Sequence, residues 1–342
     1  MPASSINDTF ARPMRDLRIS VTDRCNFRCP YCMPADVFGE GYKFMAKPEI
    51  LTFEEIERLV PIFAGLGVHK VRITGGEPLL RQQLAELVVR LAAIRGIDDL
   101  AMTTNGYLLA EHAQALADAG LRRVTVSLDS LDEEAFTKLA GREYSPGPVL
   151  AGIEAAERAG LVPIKINCVV VRGVNDHTIV ELARHFRGTG HIVRFIEYMD
   201  VGTLNGWQEE QVVPAREILD LIARELPLRP ISANYAGEVA VRYAYEDGGG
   251  EIGVIASVTQ PFCGGCTRAR LSSDGRLITC LFAGIGVDLK TPLRSGADDA
   301  EIRALIAGRW SSRDDRYSEQ RARARLADTR SDRKVEMFEV GG

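Results

Sequence analysis

Asp23-Arg24-Cys25-Asn26-Phe27-Arg28-Cys29-Pro30-Tyr31-Cys32 carries three cysteines at C-x3-C-x2-C spacing, in a chain that has seven. Three thiolates within eight residues cannot face apart, so they converge on one metal centre. Structural zinc and most iron–sulfur cubanes take four protein ligands. No fourth ligand lies near in sequence, which leaves one coordination position for a cofactor or a substrate. A zinc knuckle or a plain thiol cluster is the alternative that this spacing alone leaves standing.

Outward from this loop the chain alternates regularly. Residues 16–22 form a short strand that ends at the cysteines, and residues 1–15 ahead of it read as a loose leader. Thr52 and Glu55 make a capping box for a helix that runs to about Leu66. Strands at 69–74, 98–103, 123–128, 163–170 and 191–197 then alternate with helices near 81–94, 108–119 and 132–159, and after Asn175-Asp176. The third of these helical stretches is interrupted at Pro146-Gly147-Pro148. Six strands at βα spacing predict a parallel sheet. Apolar runs such as 164–171 suit strands buried on both faces. Six units fall short of the eight that close a barrel. The expected fold is therefore α/β, a partial (βα)6 TIM-like barrel whose functional residues stand at the strand C-termini. Strand 191–197 is expected to close the run. Beyond residue 201 the pattern changes to a helix near 215–224, hairpin-like segments around Gly248-Gly249-Gly250, and a second cysteine cluster. A short helix near 300–307 and an Arg-rich tail follow; residues 300–332 are polar and mobile-looking, while Leu305, Ile306 and Trp310 argue against full disorder. The chain thus divides into a leader (1–15), the barrel (16–200) and a C-terminal α+β extension (201–342).

Composition fits an ordinary folded protein. The 342 residues are 46% hydrophobic and 26% charged, as in soluble globular proteins. The balance of 42 basic and 47 acidic residues, −5, argues against a broad nucleic-acid surface. No uncharged run approaches the ~18 residues of a membrane span, and the polar N-terminus lacks a signal-peptide core. A cytoplasmic location is expected. Clustered cysteines of odd number fit metal-holding thiolates in a reducing compartment better than a disulfide framework.

The second cluster, Cys263-Gly264-Gly265-Cys266 with Cys280, again offers three ligands. Ser273-Asp274-Gly275-Arg276 between them reads as the turn of a hairpin that brings Cys280 back. Closure by a distant histidine into a zinc site stays open; a second cluster with an open iron is the better fit. Thr267-Arg268-Ala269-Arg270 places two arginines at i and i+2, on one face of an extended segment. Such a pair suits phosphate or a purine edge through charge-assisted hydrogen bonds; a solvated pair is the plain alternative.

The first motif, with Tyr31 before its last cysteine, resembles the radical S-adenosylmethionine (SAM) superfamily. Nearly the whole chain resembles the GTP 3′,8-cyclase (MoaA) family of molybdenum cofactor biosynthesis. The resemblance rests on LRISVTDRCNFRCPYC (17–32), VRITGGEPLLR (71–81), TTNG (103–106), VSLDSLD (126–132), KINCVVVRGVND (165–176), RFIEYMDVG (194–202), FCGGCTRARLSSDGRLITCLF (262–282) and the terminal Gly341-Gly342. It implies a [4Fe-4S] cluster on Cys25, Cys29 and Cys32 that binds SAM, and an auxiliary [4Fe-4S] cluster on Cys263, Cys266 and Cys280. It implies SAM contacts at Tyr31, Gly76, Ser127 and Met199, and GTP contacts at Arg18, Arg72, Thr103, Lys165, Arg268, Ala269 and Arg270. In the family a 5′-deoxyadenosyl radical takes the ribose 3′-hydrogen of GTP, and the carbon radical closes onto C8 of guanine. The cyclic dihydro-GTP passes to cyclic pyranopterin monophosphate synthase. A flavodoxin or ferredoxin reductant is implied, and a homodimer is compatible with the sequence. The Gly341-Gly342 tail is implied to reach the active site. Phe338 and Val340 depart mildly from the family's usual small polar residue and Ile.

Read as residues alone, several of these positions keep two meanings. Gly75-Gly76-Glu77-Pro78 could let backbone or Glu77 hold a ligand ammonium, or be a simple βα turn. Lys165 needs an anion beside it, whether a triphosphate or a carboxylate pair. Arg18 and Arg72 lie inside strands, facing an interior. Ser127 could cap a turn, Met199 could be core, and Cys168 reads as a small buried hydrophobe.

Overall fold

The computed structural model describes residues 5–235, 237–282, 284–326 and 334–341, with backbone alone for 322–326. Residues 1–4 of the expected leader, 327–332 of the polar stretch, and Gly342 lie outside the described residues.

The sequence alternation produces six strands: β1 (Asp16–Ser20), β2 (Lys70–Thr74), β3 (Asp99–Thr104), β4 (Arg123–Ser127), β5 (Lys165–Val170) and β6 (Ile192–Glu197). Each pairs in parallel with the next. The period of two sorts their side chains. In β1 Leu17 and Ile19 are buried under the helices, while Arg18 turns to the other face. Strand β5 sends Ile166, Cys168 and Val170 into the core and keeps Lys165, Asn167 and Val169 half-buried opposite. Helices α1 (Phe53–Ala64), α2 (Leu84–Ala92), α3 (Leu109–Asp118), α4 (Glu133–Ala140), α5 (Gly147–Arg158) and α6 (Ile179–Phe186) connect these strands. The Thr52–Glu55 capping box forms at α1, with reciprocal bonds of 3.2 and 2.8 Å.

Strand 191–197 does not close the run. The region after 201 adds α7 (Ala215–Ala223), β7 (Leu228–Ile231), β8 (Val241–Tyr245), β9 (Glu251–Ile255), β10 (Arg268–Leu271), β11 (Arg276–Ile278) and β12 (Val287–Asp288). Strand β9 pairs in parallel with β6, and β10 pairs in parallel with β1. The parallel part therefore has eight strands, two of them from beyond residue 201, inside one sheet ordered β12-β11-β10-β1-β2-β3-β4-β5-β6-β9-β8-β7. Antiparallel partners β11–β12 and β8–β7 cover its two sides. Sequence spacing could not show this, because β9 and β10 reach the sheet through hairpins rather than through βα crossovers. The sheet stays open, yet side chains of β10, β1, β2, β5, β6 and β9 line one cavity. It must therefore curl into a partial barrel.

Residues 5–15 are not loose. Asn7 bridges to Pro13, Met14 is fully buried, and Asp8 and Arg12 are buried with it. Their partners lie some three hundred residues on, near Trp310 and Arg313, out of reach of any local reading. After α8 (Lys290–Arg294), the polar stretch is ordered where described, as α9 (Asp299–Ser311) and α10 (Tyr317–Leu326), in keeping with its apolar Ile306 and Trp310. Helix α9 starts at an Asp298–Glu301 capping box and buries Ile302, Ile306 and Trp310. The tail ends in a short helix, α11 (Met337–Val340), with Phe338 and Val340 buried. Phe338 packs edge-on against Phe38, ring centres 4.9 Å apart.

Candidate functional site

The first triad lies on the loop that β1 delivers. Cys25, Cys29 and Cys32 line a cavity at the C-terminal ends of β2 to β6, together with Gly75, Gly76, Thr103, Asn105, Ser127 and Met199. The loop is held tightly. Phe27 N–H donates to Cys25 Sγ at 3.4 Å, and Asn105 Nδ2 approaches it at 3.8 Å. Arg28 donates to the carbonyls of Cys25, Phe27 and Phe38. Gly76 explains itself here: an added Cβ would stand 2.3 Å from Arg24 O. Only glycine lets β2's turn press against the cysteine loop.

Glu77 does not face the cavity. Its carboxylate is buried and accepts from Thr104 Oγ1 at 2.7 Å, Asn105 N at 2.7 Å and Leu79 N at 3.1 Å. It ties the end of β2 to the end of β3, so a ligand ammonium would have to meet the backbone here. Burial pushes this carboxyl up to about 7 despite those three donors. Tyr31 lines the cavity and donates to the buried Asp129 Oδ2 at 2.6 Å, while Asp129 Oδ1 accepts from Val169 N at 2.8 Å.

The second triad opens on a cavity lined by Cys263, Cys266, Cys280 and a concentration of cations: Arg12, Arg18, Lys70, Arg72, Arg194, Arg268, Arg270 and Arg313. Adjacent strands set this up. Register places Arg18 beside Arg72 on one side and beside Arg270 on the other. Burial, and then Arg270, Arg72 and Arg268, hold Arg18 well below its ordinary range. Burial lowers Arg194 to about 9 and Arg270 to about 10, with neighbouring arginines adding to both. Among the described residues, no carboxylate oxygen comes within 4.0 Å of Arg18, Arg72, Lys165, Arg194, Arg268 or Arg270. Nε of both Arg268 and Arg270 is buried without a partner. Crowded, uncompensated cations with idle donors are a receptor for a polyanion.

The two cavities adjoin. Asn167, Ile196 and Met199 line both. Asn167 Oδ1 accepts from Arg194 Nε at 3.0 Å, so one side chain stands between the thiol loop and the arginines.

The donor sets suit clusters. Burial pushes Cys25 up to about 12 and also raises Cys29 and Cys32 well above the ordinary thiol range; a cationic iron centre would reverse that cost. Burial also raises Cys280, to about 11. At Cys266 burial is outweighed by Arg268 and Arg313, which bring the thiol down to about 5. Among the described residues, no three His, Cys, Asp or Glu side chains gather around a point that a single ion could occupy. A cubane spreads its thiolates over separate corners and has no such requirement.

The expected contacts divide. Tyr31, Gly76, Ser127 and Met199 fall together on the first cavity, and Arg18, Arg72, Arg268 and Arg270 on the second. Thr103 lines the first, where Arg72 Nη1 donates to its hydroxyl at 3.0 Å. Ala269 turns its methyl into the core, so only its main chain is available to a ligand. Lys165 opens β5 half-buried beside this cluster; burial, then Arg194 and Arg123, lower it to about 8. Gly341 docks on Thr74 with φ +66°, where an added Cβ would meet Thr74 Oγ1 at 2.1 Å. The sequence reading missed Asn167, Arg194, Arg12, Arg313 and Asp129. For Arg194 and Asn167 the signal was present, since each is a polar residue alternating with buried apolar ones in a strand. Arg12 and Arg313 carried none.

Residues 19–186 match the Radical SAM superfamily model, and residues 191–319 match that of Molybdenum Cofactor Synthesis C. The chain is 56% identical to a GTP 3′,8-cyclase of Acidothermus cellulolyticus, over 93% of this chain and 89% of that one. It is 52% identical to one of Xanthomonas campestris, over 100% and 99%, and 47% identical to one of Staphylococcus haemolyticus, over 99% of each. Among solved structures, Streptococcus suis SuiB bound to S-adenosylmethionine superposes with TM-score 0.60 at 17% identity, over 88% of this chain and 69% of that one. That likeness is one of fold.

Proposed function

We propose, for a chain that belongs to the GTP 3′,8-cyclase family of the radical SAM superfamily, that the two adjoining cavities carry out that family's reaction on GTP. The product is 3′,8-cyclo-7,8-dihydro-GTP, made in the first step of molybdenum cofactor biosynthesis. The observation that carries this reading is the pairing of two cysteine triads across side chains they share, one beside a glycine-lined cradle and the other beside uncompensated arginines.

Cys25, Cys29 and Cys32 would hold the SAM-binding [4Fe-4S] cluster, and Cys263, Cys266 and Cys280 the auxiliary one. When bound, these groups supply reductive cleavage of SAM and an open iron for the nucleotide base. The protein's own part is placement. Gly76, Ser127, Tyr31 and Met199 line the space for SAM, and Asp129 fixes the Tyr31 ring by its 2.6 Å bond. Arg18, Arg72, Lys165, Arg268 and Arg270 are the cations for GTP. Asn167, held by Arg194, stands where the two ligands meet, and Met199 closes the same boundary. Met337 lines the SAM side, so the docked tail helps exclude water.

Residues 16–200 would thus generate the radical, and residues 201–342 would present the substrate. The product would pass to cyclic pyranopterin monophosphate synthase, and electrons would come from a flavodoxin or ferredoxin. Among the described residues, no helix is long and apolar enough to cross a membrane; work in the cytoplasm and homodimerisation belong to the proposal and are open to direct measurement. The test is anaerobic iron and sulfide analysis with EPR of the reduced protein, then incubation with SAM and GTP. Two clusters and a GTP-dependent cyclic product are expected. SAM cleavage without any GTP-derived product would end the reading.

A further inference from the structure

The auxiliary loop Cys263-Gly264-Gly265-Cys266 has two exposed glycines between its ligands and one internal turn bond, Cys266 N to Cys263 O at 3.2 Å. Its main chain is gripped from behind by the N-terminal segment and by the residues after α9. Arg12 Nη1 donates to Cys263 O at 2.8 Å and to Asp315 O at 2.9 Å. Arg313 Nη1 donates to Cys266 O at 2.9 Å. Both guanidiniums meet one carboxylate, with Asp8 Oδ2 2.6 Å from Arg12 Nε and 3.6 Å from Arg313 Nη1. Asp8 is fixed in turn by the N–H groups of Phe10 and Arg12, both at 2.9 Å. Arg313 lies over the Trp310 ring, whose Nε1 donates to Arg12 O at 3.1 Å.

One donor in this assembly is idle. Arg12 is 3% exposed and lines the auxiliary cavity, yet its Nη2 is buried with no partner. Leaving a charged donor buried and unpaired is costly. Nothing in the polyanion reading requires a guanidinium bonded to a cysteine's carbonyl.

We infer that Asp8, Arg12 and Arg313 form a clamp that positions the auxiliary cluster and sets its potential, with Arg12 Nη2 the donor kept for a sulfur of that cluster. Reduction adds one electron to the cluster from an external one-electron donor. Nearby cations and N–H···S bonds favour the more negative, reduced form. The clamp therefore raises the midpoint potential, and it makes the N-terminal segment part of the site. The inference rests on the second triad holding a cluster.

The test uses the full chain with Cys25→Ala, Cys29→Ala and Cys32→Ala, so that only the auxiliary cluster assembles, followed by EPR-monitored titration with dithionite and mediators. Arg12→Gln is expected to shift the midpoint to more negative potential at equal iron content, and Arg12→Lys to recover part of that shift. Asp8→Asn, which removes the charge joining the two arginines while Arg313 Nε keeps Asp315 at 3.2 Å, is expected to speed loss of auxiliary iron to a chelator; in a chain with all cysteines intact, the SAM-cluster iron should be retained. A parent that takes up no iron refutes the cluster reading itself. Iron taken up with a midpoint indifferent to Arg12→Gln refutes the clamp. So does weakened GTP binding at unchanged potential, which would give Arg12 to the nucleotide.

Discussion

At the scale of single residues, charge that lacks a counter-charge is the main clue. Arg268 and Arg270 each keep an idle Nε in the auxiliary cavity. A charged hydrogen bond is worth about 2 kcal/mol, close to 30-fold in affinity. Arg268→Ala and Arg270→Ala should each weaken GTP binding by roughly that factor, by calorimetry, while SAM binding holds; unchanged GTP affinity in both would remove them from the site. Lys165 adds a pH signature. Its ammonium, lowered to about 8 by burial and by Arg194 and Arg123, would be raised again by a bound triphosphate. Binding then takes up a proton above pH 8, so affinity is full below that value and falls above it. Lys165→Met should flatten the profile between pH 7 and 9.5, and a parent-like slope in that variant would exclude Lys165. Glu77 is structural by contrast. Glu77→Ala leaves the Thr104, Asn105 and Leu79 donors without their acceptor, an expected loss of about 3 kcal/mol, read from guanidinium unfolding; a midpoint equal to the parent's would show those bonds contribute nothing net.

At the scale of elements, the tail and the N-terminal segment are working parts. Helix α11 places Phe338 against Phe38 and Met33, which accounts for an aromatic at a position where the family commonly has a small polar residue. Gly341 then turns at φ +66° against Thr74. Gly341→Ala meets both a strained backbone and a 2.1 Å contact, so the tail should undock. Limited proteolysis should cut the variant faster near its C-terminus, with loss of cyclisation; unchanged protection would show that the turn yields. The run β1 to β6 was legible because apolar segments recur at βα spacing, and in β1, β2 and β5 buried and half-buried residues largely alternate. Strands β9 and β10 were not, since both are buried almost throughout, without alternation, and no βα unit introduces them. The leader was misread for a related reason: its order comes from Asp8 and Met14 meeting a distant part of the chain.

At the scale of the whole molecule, the sheet runs without a break across residue 200. Removing 201–342 would strip β9 from β6 and β10 from β1, leaving main-chain groups unpaired along both edges and uncovering apolar surface. A 1–200 fragment should therefore aggregate or unfold without cooperativity in size-exclusion and thermal circular dichroism. A monomeric, cooperatively folding fragment would show the barrel stands alone.

Sequence by itself determined the cysteine triads, the parallel βα run and the outline of the cation set, because each depends on local spacing or on the two-residue period of a strand. Tertiary structure alone decided that β9 and β10 flank the barrel, that Arg12 and Arg313 stand behind the second triad, that Glu77 is consumed inside the fold, and that Asn167, Ile196 and Met199 join the cavities. Those facts depend on contacts between segments from about thirty to some two hundred and fifty residues apart, which sheet pairing and the burial of charge select and which no local pattern encodes.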